Sequence, residues 1–191
     1  MNYSTGKKIV ISSLIANFIL SFLPYLLLPT PDNFTTMSNI HSVINFLSVL
    51  VPAVLAFGFA LMYYDGKNEY NLALAVAAAC SFLPNIIYFI PADSFVYTTI
   101  YPVLSNCLCA VLPIVWAIKF RSKIPALSIA LIACVFGTVF YPMILDLTVI
   151  RHITGNVGNV LNTDHFLYTL ANVFTYLSGC VYILTACIDK E

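Results

Sequence analysis

VINFLSVLVPAVLAFGFALMYY, Val43–Tyr64, holds no charged side chain, and Asn45 and Ser48 are its only strongly polar ones. A helix rises about 1.5 Å per residue and a bilayer core is about 30 Å thick, so roughly 20 such residues cross it as one helix. A strand of this length is excluded, since strands run to a handful of residues. Five further stretches read the same way, at 9–28, 71–90, 97–118, 126–147 and 166–188. The expected fold is therefore an all-α integral membrane protein, one domain over 1–191, with six transmembrane helices.

Composition agrees. Hydrophobic residues make up 61% of the chain and charged residues 8%, against roughly 25% charge in soluble domains. Mean hydropathy is +0.93. The net charge is zero and the basic residues are scattered, which argues against nucleic acid as a partner. The bilayer is the first expected partner. The six cysteines all fall in apolar runs, so no disulfide framework is implied, and Cys107 and Cys109 read as small packing residues rather than metal ligands. No metal and no cofactor is expected.

Basic residues set the orientation, because cytoplasmic loops carry the excess of Lys and Arg. Lys7, Lys8, Lys67, Lys119, Arg121, Lys123 and Lys190 fall on one side of the six spans and only Arg151 on the other. Both termini are expected in the cytoplasm, and the cell membrane is the expected location. Lys7 and Lys8 precede a first apolar run too long for a signal peptide and without a small-residue cleavage site, so it reads as a retained span. The outer connections 29–42 and 151–165 are expected as loops, the latter as a lid or a plain connector.

Ser21-Phe22-Leu23-Pro24, Ser81-Phe82-Leu83-Pro84 and Val139-Phe140-Tyr141-Pro142 recur about sixty residues apart. On the returning spans Asn45 precedes Pro52, Asn106 precedes Pro113 and Asn172 precedes Gly179, each by seven residues. Two readings stand together: three copies of one helical hairpin, as in membrane proteins with weak internal symmetry, or chance matches among common residues. Pro24, Pro52, Pro84, Pro102, Pro113 and Pro142 all fall within spans, where proline frees a backbone carbonyl and bends the helix. Alanines crowd span three, which reads as the central helix of the bundle or as a face for a partner membrane subunit.

Polar groups in apolar runs are the candidate ligand residues: Asn45, Asn85, Asn106, Asn172, Tyr88, Tyr101, Tyr141 and Asp146. An amide in hydrocarbon must bond internally, either to another helix or to a solute in a pocket open to the outside. Asp146, one turn beyond Pro142, reads as an interfacial group partnered by Arg151 or as a ligand or coupling-proton site. The three histidines fall outside without metal-ligand spacing.

No phosphate-binding loop, zinc-protease motif or nucleophile elbow is present, so neither ATP-driven work nor catalysis is expected. The expected function is that of a small-solute transporter, or of the membrane-embedded substrate-binding subunit of one. The alternative is a regulatory, immunity or assembly factor acting through helix contacts. Six spans, a basic N-terminus and a length near 190 residues are similar in general architecture to the substrate-binding subunits of energy-coupling-factor vitamin transporters, although no sequence motif of that family is present.

Overall fold

The computed structural model describes residues 2–27, 34–87, 101–141 and 157–189. Among these residues there is no strand. The helices are α1 Asn2–Leu26, α2 Phe34–Gly66, α3 Glu69–Ile87, α4 Tyr101–Phe120, α5 Pro125–Val135 and α6 Val157–Ile188. A π-helical turn, Phe136–Phe140, continues α5.

Four helices are long and apolar enough to cross a membrane, over Tyr3–Pro24, Thr35–Gly66, Val103–Phe120 and Leu170–Ile188. Shorter apolar helices cover Glu69–Pro84 and Pro125–Phe140. Large apolar side chains also point away from the protein on every helix, Phe22, Phe46, Val76, Ile118, Ile129 and Leu177 among them. A soluble monomer does not tolerate so continuous an apolar exterior. Lipid does.

Each helix packs on its neighbours in sequence, and α6 returns to α1, so the six close into a ring. Span three is accordingly not central: α3 packs chiefly between α2 and α4, with Leu74, Ala75, Ala77 and Ala78 inward and Val76 and Ala79 outward. Its small residues bring it close to its two neighbours, which a ring needs as much as a hub does.

Two helices, α2 and α6, also start well before their apolar runs. α2 begins at Phe34 and α6 at Val157, so much of the expected loops 29–42 and 151–165 is helix. Ser, Thr and Asn in those segments carry little helix cost once the chain is nucleated by a long apolar run, and no proline follows Pro31 until Pro52. Pro24, Pro52, Pro84 and Pro113 do lie inside helices. Pro102 instead takes the second position of α4, where the missing N–H costs nothing. Pro142 lies outside the described residues.

The end of the ring that carries both termini, which we call the basal end, is solid. Val10, Leu14, Val51, Leu55, Phe59, Met62, Leu74, Trp116, Phe120, Leu127 and Leu131 form one buried cluster there. Trp116 meets Phe59 edge to face at 5.4 Å, the orientation that the ring quadrupoles favour. Gly6 and Gly58 let α1 and α2 close on each other: a Cβ on Gly6 would stand 2.6 Å from the Gly58 carbonyl oxygen. Only hydrogen fits there.

Candidate functional site

Two polar constructions sit within this apolar frame, one at the basal end and one higher in the ring. At the base, the last turn of α4 carries Lys119 inward. Its Nζ donates to both carboxylate oxygens of Asp189 at 2.6 Å and to Asn71 Oδ1 at 3.0 Å. The ammonium's three donors are thereby all used. Trp116 Nε1 donates to Asp189 Oδ2 at 3.4 Å. The side chains of the pair are each 2% exposed, so this is a buried ion pair that draws α3, α4 and the end of α6 together.

Lys7 closes the same end from α1. Its Nζ donates to the Cys187 carbonyl at 2.9 Å and the Asp189 carbonyl at 2.6 Å, capping the free carbonyls at the C-terminus of α6 with a cation on the negative end of the helix dipole. On the neighbouring pair, Asp65 Oδ2 accepts from the backbone N–H of Tyr3 at 3.0 Å, a carboxylate on the positive end of α1.

Above this plug, α1, α4, the π turn and α6 diverge around a cavity of about 220 Å³. Asn17, Ser21, Asn106, Cys109, Thr138, Thr175, Ser178 and Tyr182 bring polar atoms to it, among the rings of Phe18 and Tyr176. At 1.5 Å per residue, Asn17, Asn106, Thr138 and Ser178 stand about 15–23 Å along their helices from the basal ends, a common depth. Among the described residues no charged side chain lines it. At about 30 Å³ per water the space would hold roughly seven, and it falls short of the 300 Å³ or so where pockets for drug-sized ligands begin.

Local sequence shapes the cavity walls. Gly137 lies in the π turn against Phe174, where a Cβ would meet ring atoms at 2.8 Å, and Gly179 faces Phe18 Cδ2 at the same 2.8 Å. The wider π turn puts Thr138 and Val139 on the cavity wall. Such turns recur at functional sites because they re-aim side chains within a helix.

Of the expected ligand residues, the structure brings Asn106 to this cavity. Asn45 is exposed on the outer face of α2, and Asn172 is half-buried on α6 outside the cavity wall. The three matched asparagines therefore do not share one cavity: the ring turns α2 outward at Asn45 while Ile44 points in. Tyr101 is half-buried at the start of α4, and Tyr141 meets Phe174 edge to face at 5.6 Å. Asn85 lies on α3 with its side chain outside the described set. Tyr88 and Asp146 lie outside the described residues.

Asn17, which is not among the expected ligand residues, lines the cavity, as does Ser21 from the first repeated string. Thr138, Thr175, Ser178 and Tyr182 were not singled out, because isolated hydroxyls in apolar helices are common and carry no spacing signal. The basal trio was missed for another reason. Lys119 counted as a topology signal, and Asn71 and Asp189 stand at span ends, where polar residues are ordinary.

No protein-family model, curated protein or solved structure matches the chain.

Proposed function

We propose that the chain is a six-span protein of the cell membrane, with both termini cytoplasmic, that binds a small uncharged solute in the cavity between α1, α4, the π turn and α6. It acts as a small-solute transporter or as the membrane-embedded substrate-binding subunit of one, in which case a partner membrane subunit supplies the energy. The observation that carries this is an uncharged polar cavity at mid-depth above a sealed base. A dry bundle has no reason to gather eight polar side chains around 220 Å³ of space.

The six-span count is supported by the two shorter apolar helices, which complete the ring with the four longer ones. Orientation is supported by the basic residues gathered at the basal end, Lys7, Lys8, Lys67, Lys119, Arg121 and Lys123. The hairpin repeat is supported by connectivity, since α1/α2, α3/α4 and α5/α6 follow one another around the ring.

The test is mass spectrometry of small molecules that co-purify with the detergent-solubilised protein, compared with an Asn106→Leu, Thr175→Val variant. The reading expects a solute on the unaltered protein that the variant loses. An empty protein that instead retains a stable protein partner favours the helix-contact factor.

A further inference from the structure

We propose that the cavity selects small neutral solutes that donate hydrogen bonds, amide-like in their chemistry, over solutes that only accept them. This rests on the solute-binding reading and names the class of solute.

The argument lies in where the lining hydroxyls send their protons. Ser21 Oγ donates to the Asn17 carbonyl at 2.8 Å, Thr138 Oγ1 to the Cys134 carbonyl at 2.8 Å, Thr175 Oγ1 to the Ala171 carbonyl at 3.0 Å and Ser178 Oγ to the Phe174 carbonyl at 2.7 Å. Each hydroxyl has one proton and two lone pairs, so all four have spent their donor on their own helix. Only acceptor capacity is left for the cavity.

The amide groups of Asn17 and Asn106 and the hydroxyl of Tyr182 bring donors to a wall otherwise rich in oxygen lone pairs. A solute with N–H or O–H groups satisfies that wall. One with acceptors alone leaves it unpaired after displacing water, the costly half of the hydrogen-bond asymmetry.

Charge narrows the class. No carboxylate faces the cavity among the described residues, so a full cation would give up its hydration without a counter-ion. Volume narrows it further, to a molecule of a few heavy atoms.

The test uses the unaltered protein in membranes. Cys109 lines the cavity, whereas Cys187 is exposed at the basal end, away from it, and serves as the internal control. N-ethylmaleimide labelling at each site is followed by peptide mass spectrometry in the presence of acetamide or of N,N-dimethylacetamide, which keeps the carbonyl and lacks the N–H. Acetamide is expected to protect Cys109 at about tenfold lower concentration, the ratio that ~1.4 kcal/mol converts to, with labelling at Cys187 unmoved. Thr175→Val, near in shape and without the acceptor, is expected to shrink that ratio. Equal protection by both amides overturns the donor preference and leaves solute binding standing. Protection by neither overturns both.

Discussion

Lys119 on α4 and Asp189 at the end of α6 meet at 2.6 Å with side chains 2% exposed, and Asn71 on α3 holds the third donor of the same ammonium. The contact joins the C-terminus of the last helix to the middle of the chain at the sealed end of the ring. Trp116 Nε1 donates to the same carboxylate at 3.4 Å.

Breaking this pair from one side leaves a charge buried without its partner, which costs about 3–5 kcal/mol, whereas exchanging both for apolar residues is often neutral. Lys119→Met and Asp189→Leu are each expected to lower the melting temperature sharply in detergent, and the double substitution to recover most of the loss. A double variant no more stable than the singles would show that the pair itself, rather than the avoidance of a lone charge, holds the base together.

Lys7→Met removes two charge-assisted hydrogen bonds from the C-terminal carbonyls of α6 and the cation from its dipole. The last turn of α6 should fray, with a larger rise in amide hydrogen exchange there than through Leu170–Ser178. The local loss is expected to be about 1.5–3 kcal/mol, the range for hydrogen bonds to charged groups. Unchanged exchange in the final turn would assign the capping to water instead.

The α1–α2 approach makes a graded series. Gly6→Ala and Gly58→Ala put a Cβ 2.6–2.8 Å from neighbouring atoms, whereas Gly66→Ala meets Tyr3 Cδ2 at an ordinary 3.5 Å. Overpacking at the first two should cost about 1–3 kcal/mol in thermal unfolding. Gly66→Ala should be near neutral, since Gly66 does not have a positive φ.

Gly179→Ala drives a methyl into the Phe18 ring. Stability should fall by an overpacking cost of about 1–3 kcal/mol and recover in a Phe18→Leu background, because the clash is with that ring alone at close range. Additive losses in the double variant would mean that the two residues do not share the contact.

Much of the architecture is legible in the sequence. Val43–Tyr64 and its counterparts set helices of spanning length because a bilayer leaves backbone groups no partner but their own helix, so hydropathy and length alone decide the element. Helix starts were less legible. Thr35, Ser38 and Asn39 look like loop chemistry, but an adjoining long helix carries them along. The repeat strings marked Ser21 and Asn106, which do line the cavity, and Asn45, which does not.

Hydropathy could not say which face of each helix turns inward. That depends on how six helices close into a ring, and a rotation of one residue, about 100°, moves a side chain from cavity to lipid. Asn45 and Ile44 exchange roles on that basis. Nor could the sequence show that Lys119, counted at first as a cytoplasmic anchor, is drawn inward to Asp189 seventy residues away. A lone charge at a helix end favours solvent; only when the ring brings a carboxylate and an amide to the same point does burial become tolerable. The sequence alone determined that the chain is helical, apolar outside and of membrane-spanning length. Only the tertiary structure decided which polar groups meet.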